Sequence, residues 1–123
     1  MGTHHRCTDT WPGYRWEDIR SESYEGDGAS GGTKHVLIGR RDGAANYCLR
    51  YFEIAPGGQS SLDRHAHDHG VFILHGKAQV TMGAETVEAG KGDVLYIPPN
   101  EEHQLINVGN SVLGFLCVVP PRD

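Results

Sequence analysis

From residue 33 onward the chain is divided into short apolar runs separated by turns that contain glycine or proline. The runs are rich in Val, Ile, Leu, Tyr and Phe, and no window shows a sustained helical period. They occupy residues 35–39, 46–54, 71–75, 77–82, 84–88, 93–97, 103–107 and 112–119, and the expected turns include 56–58, 90–92 and 98–100. Closely spaced strands of this kind predict an all-β sandwich or small barrel, with one face of each strand lining the interior.

Residues 1–32 differ from this pattern. Trp11 and Trp16 lie among charged residues, and a turn-rich stretch follows at 26–32. Such a segment is either a poorly ordered tail or an arm whose aromatic residues pack on the barrel or on a second subunit. Two tryptophans favour partial packing, because a fully solvated tail gains nothing from them. We therefore expect a partly ordered N-terminal arm over 1–32 and a barrel over 33–123.

Length and charge limit the classes of function. A chain of 123 residues with 22% charged residues and a net charge of −5 suits one domain and gives no electrostatic reason to bind nucleic acid or an anionic membrane. No apolar run is long enough to span a membrane, and the N-terminus has no apolar signal-peptide core. The three cysteines are widely spaced without a CxxC pair, which favours reduced thiols in a cytoplasmic protein.

Three histidines, His65, His67 and His69, occupy alternate positions in one short segment. Side chains two apart on an extended chain point the same way, so one strand can aim three imidazoles at one point. Neutral imidazole is a good ligand for divalent transition metals. The spacing therefore predicts a site for one divalent metal ion.

Two motifs in this chain resemble those of the cupin family. The first cupin motif is a glycine, then H-x-H, an acid and a second glycine, and it corresponds to residues 58–76 with His65 and His67. The second is a glycine-rich segment, a proline and H-x-x-x-N, and it corresponds to residues 92–107 with His103. Each motif is loose alone, but the two in order are fairly specific.

The resemblance covers about residues 35–119 and implies a cupin-type jelly-roll barrel, or double-stranded β-helix, that commonly forms a homodimer. The acid of the first motif is absent, and counting back from Gly76 puts His69 at its place. His69 either continues the strand of His65 and His67 or follows a turn at Asp68 and approaches from the next strand. Some small cupins carry a histidine there and bind metal with four imidazoles. The ligands implied by the resemblance are His65, His67, His69 and His103. His75 is interpreted as a pocket or surface histidine outside this set.

Four neutral imidazoles would leave the ion its full charge and make it a strong Lewis acid. Four ligands on an octahedral metal would leave two positions for dioxygen and substrate, or for a chelating substrate. The resemblance favours manganese or iron, with nickel, copper and zinc as the alternatives.

Strand alternation indicates the walls of a pocket above the metal. Arg50 and Phe52 share one face of an early strand, and Phe115 and Cys117 share one face of the last. If these faces point inward, the pocket offers one cation, one thiol and aromatic walls. Arg50 would then orient the anionic or enolic oxygen of a small, partly apolar substrate.

The sequence leaves several functions open. The leading hypothesis is a metal-dependent oxidoreductase of the dioxygenase type that acts on a small organic molecule. Metal-dependent isomerase, cyclase or lyase chemistry is the alternative reaction class. A non-catalytic module that binds a small molecule or a metal, and a structural barrel whose metal only stabilises the fold, are the remaining interpretations.

Overall fold

The computed structural model describes residues 2–121, which form an all-β, nearly closed barrel. The strands are β1 (Cys7–Asp9), β2 (Arg15–Trp16), β3 (Glu22–Tyr24), β4 (Ser30–Ile38), β5 (Cys48–Gln59), β6 (His69–His75), β7 (Lys77–Met82), β8 (Glu85–Gly90), β9 (Val94–Ile97), β10 (His103–Asn107) and β11 (Leu113–Val119). Among the described residues the helical content is one short 3-10 helix, Arg40–Asp42. None of their helices is long and apolar enough to cross a membrane.

The strands expected from residue 33 onward are present, and the all-β barrel predicted from them is confirmed. The turn expected at 56–58 is wrong, because these residues lie inside β5. Pairing with β4 skips from Gln59 to Ile54, so the intervening residues bulge out of the ladder. Gly57 has a φ of 82°, which glycine adopts without a steric penalty and which suits such a bulge.

The main sheet has nine strands, and antiparallel pairing runs in the order β8-β7-β10-β5-β11-β6-β9. β5 also pairs with β4, and β4 pairs with β3. β5 therefore lies between β4 and β11 along most of its length, and β6 lies beyond β11, while β10 pairs with β5 only at Gln59. The starts of β6 and β10 nevertheless lie close together, since the rings of His69 and His103 are in contact.

The N-terminal segment contributes both a separate hairpin and part of the main sheet. β1 and β2 pair with each other, whereas β3 and the start of β4 belong to the nine-stranded sheet although they precede residue 33. Trp16 packs on the ring of Tyr51 with 5.3 Å between centroids, while Trp11 is 69% exposed. Treating 1–32 as an arm distinct from the barrel remains a proposal.

β5 is buried on both faces because different parts of the molecule cover them. Phe52 and Ile54 belong to the apolar core on one face. Tyr51, on the other face, is also fully buried, and it contacts Tyr14 and Trp16 of the N-terminal segment. The core continues directly into the wall of the cavity described below through Val71, Ile97, Leu105, Phe115 and Cys117.

Candidate metal centre

The histidine-rich segment is held against β10 before it enters β6. Asp63 forms an isolated antiparallel bridge with His103, with 3.0 Å from Asp63 N to His103 O and 2.9 Å from His103 N to Asp63 O. A bend follows at residues 66–67, and β6 begins at His69. The three alternating histidines therefore do not lie on one continuous strand.

Three histidines converge on one point. The ligand nitrogens of His65, His69 and His103 all lie within 4.8 Å of one another. The ring centroids of His69 and His103 are 4.7 Å apart, and both residues are buried. The bridge to Asp63 brings in His65 from the preceding loop, so the cluster combines residues from a loop, the start of β6 and the start of β10.

His67 lies beside this group and not within it. Its ring stacks on that of His65 at 4.9 Å with an interplanar angle of 5°, and its Nδ1 is 3.2 Å from the carbonyl oxygen of Asp68. The bend at 66–67 interrupts the alternation that would have pointed His67 in the same direction as its neighbours. The ring centroid of His67 is 4.8 Å from that of His69, so His67 lies near the group. That His67 is a fourth metal ligand remains a proposal.

The donor atoms fit a divalent transition metal. His69 Nε2 is buried without a hydrogen-bond partner, while its Nδ1 lies 3.5 Å from Cys117 Sγ. Burial and, next, the nearby His103 lower the pKa of His69 to about 3, so its imidazole is neutral at neutral pH. His103 Nδ1 lies 3.0 Å from the carbonyl oxygen of Glu101, an arrangement that leaves Nε2 with a free lone pair, as in typical metal-bound histidines.

A cavity of about 270 Å³ opens beside the three histidines. The four residues predicted to form its walls all line it: Arg50, Phe52, Phe115 and Cys117. The rings of Phe52 and Phe115 stack with centroids 5.3 Å apart, and the Arg50 guanidinium carbon lies 5.0 Å from the centre of the Phe52 ring. The volume is at the small end for ligand pockets, which suits a small substrate.

A chain of polar groups on the same cavity wall was not predicted from the sequence. The hydroxyl of Tyr24 lies 2.7 Å from Ser61 Oγ, and the Ser61 hydroxyl donates to the carboxylate of Asp63. Asp63 Oδ2 is 3.7 Å from His65 Nε2. The signal for Asp63 was present, because it stands two residues before His65 and follows the same alternation. Tyr24 gave no signal, since its position depends on the pairing of β3 with β4.

His75 faces away from the cavity. An extra residue in β6 shifts its register with β11, so that Phe115 pairs with Ile73 but Gly114 pairs with His75. Its Nε2 lies 3.0 Å from the Tyr51 hydroxyl, and its Nδ1 lies 2.9 Å from the carbonyl oxygen of Val112. His75 is therefore a buried structural residue on the side covered by the N-terminal segment.

Comparison with known proteins agrees with this architecture. A 1-methylthio-D-xylulose 5-phosphate methylsulfurylase from Rhodospirillum rubrum is 36% identical over 109 residues, which cover 86% of this chain and 69% of that protein. A cupin 2 conserved barrel protein from Rhodopseudomonas palustris is 36% identical with a TM-score of 0.79, over 96% of this chain and 82% of the other. The polyketide cyclase RemF from Streptomyces resistomycificus is 29% identical with a TM-score of 0.78, over 85% and 75% of the two chains.

The family model described as the cupin domain, Cupin_2, matches residues 50–119, which include most of β5, all of β6 to β11 and all the histidines of the cluster. With this match and the nearly closed barrel, the chain belongs to the cupin family.

Proposed function

We propose that the protein is a metal-dependent enzyme that activates an oxygen atom of a small organic substrate. The observation that carries the proposal is the buried, unpartnered Nε2 of His69, a residue that offers a ligand nitrogen within 4.8 Å of those of His65 and His103 at the wall of a cavity. An unsatisfied buried acceptor is costly, and a bound cation would compensate for it. Manganese and iron are the favoured metals, with nickel, copper and zinc as alternatives.

The reaction class that the cavity supports best is Lewis-acid chemistry of the lyase, isomerase or cyclase type. A divalent ion in such a site polarises a carbonyl or enolate oxygen. Arg50 would hold a second, anionic oxygen of the same substrate, while Phe52 and Phe115 exclude water from its apolar part. The names of two similar proteins, a methylsulfurylase and a polyketide cyclase, agree with chemistry at oxygen-bearing carbon skeletons.

Dioxygenase chemistry is the second candidate. The observation in its favour is a set of neutral imidazole donors that faces an open cavity, since this leaves room for dioxygen beside the substrate. A module that binds a small molecule or a metal without turnover is the alternative outside catalysis. A cytoplasmic location belongs to the same proposal and is supported by the free thiols of Cys7, Cys48 and Cys117.

The test begins with protein purified without a polyhistidine tag and analysed for bound metals. Manganese- and iron-loaded samples are then incubated with 1-methylthio-D-xylulose 5-phosphate and with a panel of phenolic and enolic compounds. Product formation is followed by mass spectrometry and oxygen consumption by an electrode. Metal-dependent turnover without oxygen uptake supports the Lewis-acid class, and turnover with stoichiometric uptake supports the dioxygenase. Bound metal with no turnover of any compound would favour the non-catalytic module.

A further inference from the structure

A second cation faces the cavity together with Arg50. Lys34 of β4 and Arg50 of β5 both line it. In the antiparallel pairing of these strands Val36 is opposite Arg50 and Lys34 is opposite Phe52. Lys34 and Arg50 are therefore diagonal neighbours on one face, a relationship that typically separates two residues by about 7–8 Å and their Cβ atoms by somewhat less. Both side chains are long enough to reach a single group placed between them.

The protein positions the Arg50 guanidinium but leaves one of its hydrogen-bond donors without an acceptor. Nη2 lies 3.7 Å from Cys117 Sγ, and the guanidinium packs over the ring of Phe52. Its Nε is buried and has no hydrogen-bond partner. A charged donor that is buried and unpaired is costly, so the arrangement suits a site where a ligand supplies the missing acceptor.

The two cations lie close to the metal centre but do not belong to it. Cys117 Sγ is within 3.7 Å of Arg50 and 3.5 Å of His69 Nδ1, so one sulfur atom separates the guanidinium from a metal-facing imidazole. Lys34 lies one strand beyond Arg50. Of the carboxylates on this wall, Glu25 is exposed and Asp63 accepts a hydrogen bond from Ser61.

We propose that Lys34 and Arg50 form an oxyanion subsite for the dianionic end of the substrate, and that this substrate is a small phosphate monoester. The inference rests on the proposed function, because the rest of the molecule would then reach the metal with a second oxygen. Two cations match two negative charges, with Arg50 offering paired donors and Lys34 a compact point charge. A cavity of about 270 Å³ holds a short phosphorylated compound but not a nucleotide-sized one.

The test uses inorganic phosphate as the probe, at about pH 7.5 where it is mostly a dianion. Calorimetry compares the wild-type protein with Lys34→Met, Arg50→Met and a control, Lys91→Met, which changes an exposed lysine in the turn after β8. We expect each cavity variant to bind phosphate at least about tenfold more weakly, as for loss of a charge-assisted contact, and Lys91→Met to bind like wild type. Lys34→Arg should restore most of the affinity, which excludes a folding defect.

Three results would overturn the subsite. These are unchanged phosphate affinity in Lys34→Met, an equal loss in Lys91→Met, and acetate binding as tight as phosphate binding, which would indicate a site for single negative charges. Repeating the titration on metal-free protein separates the subsite from the metal, because phosphate that binds only to the ion is lost with it. Retained phosphate binding in a protein that takes up no metal would reject the proposed function and leave the subsite standing.

Discussion

Arg15 binds Glu53 with both ends of its guanidinium, at 2.6 Å from Nη1 to Oε2 and 3.1 Å from Nη2 to Oε1. The same carboxylate accepts a hydrogen bond from the Tyr51 hydroxyl at 2.8 Å. These contacts attach the N-terminal segment to β5, directly behind the residues that line the cavity. Bidentate pairs between arginine and a carboxylate are among the stronger ion pairs. The 42% exposure of the Arg15 side chain nevertheless reduces what this pair contributes to the stability of the fold.

Replacing Arg15 by alanine should weaken this attachment and leave the partly buried Glu53 without its cation. We expect the free energy of unfolding to fall by about 1–2 kcal/mol, which is less than the roughly 1.5–3 kcal/mol of a hydrogen bond to a charged group because Arg15 is partly exposed. Urea denaturation followed by tryptophan fluorescence measures the change. Arg20→Ala, which removes an exposed arginine from the same segment, is the matched control and should have almost no effect.

Single alanine substitutions of His65, His69 and His103 should each reduce metal content sharply, because their ligand atoms form the converging group. His67→Ala should also lower metal affinity if the ring turns inward to become the proposed fourth ligand. His75→Asn should leave metal content unchanged, since this residue faces the N-terminal segment. Metal analysis by mass spectrometry decides each case, and full metal loading of His67→Ala would leave a three-histidine site.

Metal-free protein should lose stability as the pH falls from about 6.5, the ordinary pKa of histidine, toward 3. Burial keeps His69 neutral in the fold down to a pKa of about 3, whereas the unfolded chain takes up a proton near 6.5. The unfolded state thus binds more protons in this window, and unfolding becomes easier at lower pH. Burial also lowers the pKa of His35 and acts in the same direction.

Denaturant unfolding of the metal-free protein at several pH values shows whether the free energy of unfolding falls as the pH is lowered. His69→Asn should flatten the dependence, because asparagine takes up no proton in either state. An equally steep dependence in His69→Asn would show that other groups cause it. His4→Asn, at an exposed position near the N-terminus, serves as the control.

We expect a homodimer formed through the outer face of β6, β9 and β11. Four large apolar side chains are exposed there, Phe72, Val94, Tyr96 and Val118. The register places them side by side, and β9 lies at the end of the strand order, where an uncovered edge favours association. Sedimentation velocity at about 50 µM should show a dimer that dissociates in Val94→Lys, as a buried lysine is costly.

A 13.5 kDa species for the wild-type protein would contradict the dimer. Val108→Lys changes an exposed valine outside this face and should leave the assembly intact. Trp11 is the other candidate for an interface, since Trp16 already packs within its own chain. Loss of the dimer in Trp11→Ser but not in Val94→Lys would move the interface to the N-terminal hairpin.

The strands that carry the cavity walls were predictable because their side chains follow the two-residue period of an extended chain. Arg50 with Phe52 and Phe115 with Cys117 are examples, and all four line the cavity. The period fails wherever the backbone departs from a regular strand. The bend at 66–67 separates His67 from the converging group, and the sequence left open whether the chain continues as a strand or turns here.

The contribution of β3 and β4 to the cavity could not be predicted from the sequence either. β4 begins with Ser, Gly, Gly, Thr and Lys, residues with weak strand preference apart from threonine, and it forms through long-range pairing with β5. Lys34 reaches the cavity wall only because of that pairing. Tyr24 reaches the same wall because its strand, β3, pairs with β4.

Because of the extra residue in β6, the two parts of this seven-residue strand direct their side chains to different sides of the sheet. Before it, His69 and Val71 face the cavity, and after it His75 faces the N-terminal segment. A regular strand would have kept all three side chains on one face. Sequence variation at the outer end can therefore adapt the attachment of the N-terminal segment while the residues that meet a substrate stay the same, so specificity and attachment are free to evolve independently.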